Sequence, residues 1–324
     1  KIFILTATHH QKFDILEEFY PSDLSEVKIH TRITPIEFET GLRVIDIADE
    51  ISGDFIFLYG DNFWPFSLPL LDKHRLQHSF DAQIVCYNNN DFYSTSNIKL
   101  GADRVVRSYS TQRGLMDYMH VDLGFGIFKS GHLSLLDKNK NESFERQVYP
   151  GLITEQKLGA FISDQRYYTL TNMRRYPDLH QIITNGHSVF INALAFGQID
   201  LPISTENFKM VLSALKTGAR RSGIKFKSNK KILFLEMPRL DIGVIDQPQV
   251  DQFVCRIFNC FKEHAIKLDA FYFCAETGVS QPSAPAGLRL MIIQAQKDLR
   301  LNLHEAYIFQ KTNKMTRVAN LLYI

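Results

Sequence analysis

Asp54–Tyr59 reads DFIFLY, five uninterrupted apolar residues after a single acid, and it stops at Gly60-Asp61-Asn62. Such a run suits a strand buried on both faces of a parallel sheet. A loop at its carboxyl end is where open α/β sheets place their ligands. The surrounding pattern fits that reading. Lys1–Leu5 and Val27–Thr31 are predicted strands, Gln11–Phe19 and Thr40–Glu50 helices, Leu68–His78 a helix and Ala82–Tyr87 a strand. Strands alternating with helices predict a doubly wound α/β layer.

Residues 97–128 read as strands and turns, ending in VDLGFGIF (Val121–Phe128), with glycines where a strand must bend or admit another backbone. Phe144–Gln156 is a predicted helix, Ala160–Leu170 a strand and Asn172–Thr184 a helix. A second α/β pattern follows. Its strands are His187–Asn192, the central Lys231–Glu236 (KILFLE), Leu268–Cys274 and Ala306–Phe309; its helices are Asn207–Arg220, Gln249–His264 and Ala286–Leu299. A chain of 324 residues, at about 150 per domain, predicts two domains. We expect residues 1–184 and 185–324, two Rossmann-type α/β domains in tandem.

Composition limits the partners. The 37 basic and 35 acidic residues leave a net charge of +2, too balanced to point to nucleic acid or a membrane surface. No apolar stretch reaches the roughly 18 residues of a membrane helix. Four cysteines exclude a disulfide scaffold and fit a reducing, cytoplasmic compartment. The start inside a strand pattern, without Met, raises the expectation of residues before Lys1; no signal-peptide pattern is present.

Glu39-Thr40-Gly41, FLYGDNFWP (Phe57–Pro65), VDLGFGIF, Ser143-Phe144-Glu145 and DQRYY (Asp164–Tyr168) resemble, in this order, the sugar-1-phosphate nucleotidyltransferases. The variety they resemble is heptose-1-phosphate guanylyltransferase-like and fused to a haloacid-dehalogenase-type (HAD) phosphatase. The resemblance implies a GT-A-type layer in which a sugar-1-phosphate oxygen attacks a nucleoside triphosphate with help from a divalent metal. It places nucleotide or sugar contacts at Glu39, Gly41, Gly60, Asp61, Asn62, Gly124 and Glu145, with magnesium at Asp61 if the site is active. Ser110 stands where the family has a lysine, and Thr169 where it has a second metal-binding Asp. The family's glycine-rich loop is absent from this sequence.

Residues 186–324 are similar to heptose bisphosphate and histidinol phosphatases of the HAD type, through IIQAQKDLRLNL (Ile292–Leu303), AYIF and LDAFYFC (Leu268–Cys274). The charged motifs are replaced. Asn192 and Leu194 occupy the positions of the D-x-D nucleophile and acid/base. Glu236 falls at the phosphate-binding segment, Gln281 in the former R-K-P, and Lys311 and Met315 at the magnesium acids. An amide cannot replace a carboxylate nucleophile. Cys274 keeps one zinc ligand but Glu276 replaces the next, so we expect no zinc and a buried Cys274.

The expectation for function is a catalytically impaired pseudoenzyme of heptose or lipopolysaccharide sugar-nucleotide metabolism. It would bind a nucleoside triphosphate, nucleotide sugar or sugar phosphate, or dock on an active paralogue or a second copy. The alternatives are an active nucleotidyltransferase joined to an inactive HAD-like domain, and a structural subunit of a larger assembly. Outside the motifs, Cys255 and Cys260 read as core residues. His74 and His78, at i and i+4, have metal-ligand spacing but fit a solvated helix face. Arg220–Lys231 reads as a solvated basic loop.

Overall fold

The computed structural model describes residues 1–7, 27–64, 66–112, 117–184, 186–196, 199, 202–226, 229–237, 247–275, 286–310 and 312–318. Its first half contains β1 (Ile2–Ala7), β2 (Ile29–Thr34), α1 (Thr40–Ile45), β3 (Asp54–Leu58), β4 (Asn62–Phe63), α2 (Leu68–Gln77), β5 (Ala82–Asn88), β6 (Ile98–Leu100), β7 (Val106–Tyr109), β8 (His120–Lys129), α3 (Phe144–Thr154) and β9 (Leu158–Ser163). The rest contains β10 (Tyr168–Thr169), α4 (Tyr176–Thr184), β11 (Ser188–Asn192), α5 (Thr205–Arg221), β12 (Lys230–Met237), α6 (Gln247–Glu263), β13 (Ala270–Ala275), α7 (Ala286–Leu299), β14 (Ala306–Phe309) and β15 (Met315–Arg317). Predicted helix Gln11–Phe19 lies outside the described residues, as do Asn185, Glu276, Gln281, Lys311 and the side chains of Glu236 and Cys274.

The chain divides into two compact units, residues 1–59 with 72–163 and residues 60–71 with 164–324. This is a division by packing. The boundary at 184/185 expected from sequence separates family modules, which is a different quantity.

In the first unit the sheet runs β7-β6-β8-β5-β9, with β3 also on β8. β5 is parallel to β9 and antiparallel to β8. β1 and β2 form a separate parallel pair. The core gathers Ile84, Phe128, Phe144, Val148, Leu152 and Leu158, with Phe55 and Phe57 packed against it. DFIFLY therefore departs from its prediction. β3 pairs antiparallel with β8, and its residues alternate: Phe55 and Phe57 face the core while Ile56 and Leu58 are 38% and 52% exposed. Apolar residues on both faces hid this period-two pattern. Ile56→Thr is expected to change stability by no more than about 0.5 kcal/mol, measured by urea unfolding; a strand buried on both faces would lose more.

Other boundaries also shift. The helix predicted over 40–50 ends at Ile45, followed by a 3₁₀ turn at Ala48–Glu50. Ala160–Leu170 splits into β9 and β10. Asn172–Thr184 begins as a 3₁₀ turn, Met173–Arg175, before α4.

The second unit holds the sheet β13-β12-β11-β14-β15, parallel except for β15. β11 is thus the middle strand, and KILFLE lies one place from the centre. Val189, Ile191, Leu233 and Leu235 pack with Phe208, Leu212 and Leu215 of α5 and Phe253, Ile257 and Phe261 of α6. Phe190, Ile232, Phe234 and Ile308 pack with Leu288, Ile292 and Ala295 of α7. Helices therefore cover both sheet faces, as the alternation predicted. Chain direction across the sheet reverses between β11 and β14, which makes this edge of the two strands a topological switch point.

Cys255 is exposed and Cys260 half-buried, so the first is not a core residue. It lies off the α6 stripe formed by Val250, Phe253, Val254, Ile257 and Phe261. The end of the basic run is anchored rather than solvated. Lys231 is 4% exposed, its Nζ donating to the Asn229 carbonyl at 2.6 Å, while Lys230 Nζ donates to the Leu299 carbonyl at 3.0 Å. Burial lowers the pKa of both amines.

Candidate functional site

The predicted contacts Glu39, Gly41, Gly124 and Glu145 lie on three chain segments, and the first unit brings these segments together. Glu39 precedes α1 and its amide donates to Asn141 Oδ1 at 2.7 Å. Gly41 follows one turn into the cluster, its amide donating to the Glu142 carbonyl at 3.1 Å. A Cβ at Gly41 would sit 2.5 Å from that same oxygen, so only glycine lets α1 approach the start of α3 this closely.

Thr40 is the hub that sequence reasoning missed. Its Oγ1 accepts the Phe144 amide at 2.9 Å and lies 3.2 Å from the Tyr59 hydroxyl. Thr40 thus ties the start of α3 to the Tyr59 hydroxyl, and the Glu145 carboxyl lies near enough to Tyr59 to act on it electrostatically. Glu145 is 5% exposed and lies in the first turn of α3, where the helix dipole favours a negative charge.

Asp122 closes the other side. Its Oδ1 accepts the Gly124 amide at 2.9 Å and its Oδ2 the Tyr149 hydroxyl at 3.1 Å. Gly124 has φ +63°, and the Tyr59 amide donates to its carbonyl at 2.9 Å. A Cβ on Gly124 would overlap the Tyr59 ring. Burial, reinforced by Glu145 and Asp122, pushes the pKa of Tyr59 far above the usual tyrosine range. Burial, then Asp122 and Glu145, does the same for Tyr149. Both phenols therefore stay protonated and act as donors. The signal for this arrangement was legible in principle: Thr40 lies between Glu39 and Gly41, and Tyr59 ends DFIFLY just before Gly60.

Gly60, Asp61 and Asn62 fall in the second unit. Asn62 starts β4 and pairs with Thr169 on β10. The Leu170 amide donates to the Asp61 carbonyl at 2.7 Å. The two positions that the resemblance assigns to metal binding, 61 and 169, are therefore adjacent on one short ladder. Asp61 is exposed, while Thr169 Oγ1 is bonded to Thr171 Oγ1 at 2.6 Å. Among the described residues no group of three or more His, Cys, Asp or Glu is gathered. A magnesium ion uses one or two carboxylates with substrate phosphates; of these two positions Asp61 offers a carboxylate and Thr169 a hydroxyl.

At the switch point of the second unit, Asn192 Oδ1 caps the following 3₁₀ turn by accepting the Leu194 amide at 2.9 Å. Leu194 packs on the core, and Met315 fills the space above Gly218. These three side chains do capping and packing work. Gln310 closes the β14–β15 turn by donating its amide to the Lys314 carbonyl at 2.9 Å.

The coordinates define a mixed α/β protein with two parallel-containing units. Among the described residues no helix is long and apolar enough to cross a membrane. The chain is similar to a protein from Bacillus anthracis assigned as a glucose-1-phosphate thymidylyltransferase, whose crystal structure is a complex with sucrose. The TM-score is 0.43 at 10% identity, covering 55% of this chain and 73% of that one. No family model and no curated protein matches the sequence.

Proposed function

We propose that the first unit binds the sugar part of a nucleotide sugar or sugar phosphate, and that the chain acts as a binding or regulatory pseudoenzyme of cytoplasmic sugar-nucleotide metabolism. One observation carries the reading. Thr40, Tyr59, Gly124 and Glu145, distant in sequence, meet in one cluster: Thr40 joins the Phe144 amide to the Tyr59 hydroxyl, Gly124 lies against the Tyr59 ring, and the buried Glu145 carboxyl acts on the same phenol. Carboxylates with spare lone pairs are acceptors for sugar hydroxyls. The HAD-like half contributes no charged acid at positions 192, 194 or 315, which supports a role without phosphatase chemistry.

Isothermal titration of the full chain against nucleoside triphosphates, nucleotide sugars and sugar phosphates tests this. Binding by a sugar-bearing ligand is expected, weakened roughly tenfold in Glu145→Gln, since a hydrogen bond to a charged group contributes about 1.5 kcal/mol or more. Absence of heat with every ligand would remove the reading.

The second reading is an active nucleotidyltransferase. It is favoured by the exposed Asp61 carboxylate beside the β4–β10 ladder. It expects pyrophosphate release from a nucleoside triphosphate and a sugar-1-phosphate. Equal turnover by Asp61→Ala would sink it.

A further inference from the structure

The solvated helix face expected for His74 and His78 holds for His78, which is exposed, and not for His74, which is half-buried. They stack, centroids 4.2 Å apart, and His74 is half-buried with the Phe161 ring edge-on at 5.1 Å. Both nitrogens of His74 are engaged. Arg104 Nη1 lies 2.9 Å from His74 Nε2. A guanidinium has no acceptor, so Nε2 is the acceptor and carries no proton. The imidazole proton is on Nδ1, 2.6 Å from Gln83 Oε1. His78 Nδ1 in turn donates to the His74 carbonyl at 2.9 Å.

Burial first, and then nearby charge, disfavours protonation of His74. Burial, with the charges of His78 and Arg104, holds its pKa below the ordinary imidazole value, against the hydrogen bond to Gln83. Asp103, beside Arg104 in the same turn, is ion-paired with Arg107 at 2.6 Å. Gln83 from β5 and Phe161 from β9 are uncharged.

Arg104 also covers an edge. β9 ends the order β7-β6-β8-β5-β9. The Ala160 amide of β9 donates to the Arg104 carbonyl at 2.9 Å, and Val105 bridges to Gly159. Arg104 itself has φ +63°, a left-handed conformation that costs a non-glycine residue about 1–2 kcal/mol. The turn is therefore held by what it touches rather than by local preference. Exposed strand edges template pairing with other chains, so what keeps this turn in place has a consequence beyond the turn.

We propose that His74 is a proton-operated catch for the 101–105 turn: neutral His74 accepts Arg104 and keeps the β9 edge covered, and protonated His74 releases Arg104 and uncovers it. The added proton enters at Nε2, where it faces a guanidinium N–H. Two donors and two like charges then oppose each other, while the Nδ1–H bond to Gln83 persists.

Hydrogen exchange at the Ala160 amide tests the catch in the full chain. Protection, corrected for intrinsic rates, is expected to be lost progressively from about pH 7.5 to about pH 5, the range over which an imidazole gains its proton. Arg104→Gln supplies an amide that either donates to neutral His74 or accepts from protonated His74. In that variant, and in His74→Gln, Ala160 is expected to keep its protection at both pH values. The same acid-induced loss in either variant would overturn the proposal, as would unchanged protection in the parent chain. The proposal does not depend on ligand binding in the first unit.

Discussion

Phe144→Ala is expected to cost the first unit about 3–5 kcal/mol, the range for deleting a buried aromatic. Phe144 is 0% exposed. It stacks on Phe57 at 4.4 Å and meets Phe55 and Phe128 edge-on at 6.5 and 5.1 Å. These are β3, β8 and the first turn of α3 in one cluster, so the cavity would open where three elements meet. The amide of the same residue anchors Thr40, and the backbone bond survives the truncation only if α3 keeps its place. Urea unfolding monitored by circular dichroism, with hydrogen exchange at β5 and β8, measures the loss. A cost below about 1 kcal/mol would mean that this aromatic cluster is not packed as described.

Gly124→Ala has the second largest expected effect, about 2–5 kcal/mol. Part is the left-handed backbone, φ +63°, which costs an alanine about 1–2 kcal/mol. The rest is the overlap of the new methyl with the Tyr59 ring, an overpacking cost of about 1–3 kcal/mol. The ring relieves the overlap only by moving, which separates its hydroxyl from Thr40. The variant is therefore expected to lose both stability and sugar-ligand affinity. Tyr59→Phe keeps the ring and removes the hydroxyl, so it should lose affinity with a smaller stability change. Calorimetry and urea unfolding on both variants separate the two effects. Full affinity in Gly124→Ala would show that Tyr59 does not orient Glu145.

The sequence made the second unit most legible. α7 was predicted with its observed ends, and α6 showed its buried stripe, because long helices repeat their apolar spacing over several turns. The first unit was harder. β3 carries apolar residues on both faces, so composition did not reveal which face meets the core. The β4–β10 ladder is two residues per strand, too short for any periodicity. Glu39, Gly41, Gly124 and Glu145 were found as separate motifs. Thr40 and Tyr59, which tie them, stand next to those motifs, but their pairing lies across the fold and leaves no spacing in the sequence. The solvated face read for His74 and His78 missed that Gln83 and Arg104, from other elements, engage both His74 nitrogens.

The ladder between Asn62–Phe63 and Tyr168–Thr169 also bears on how the polypeptide is made. At roughly 5–20 residues per second, residues 60–71 leave the ribosome several seconds before β10 exists. During that interval the segment must wait, unpaired, while the surrounding residues 1–59 and 72–163 are already able to collapse around Phe144. The second unit thus begins with a piece held in reserve. A fragment stopping at residue 163 would carry that piece permanently without its partner strand, so a cut there takes from the second unit a segment that belongs to it.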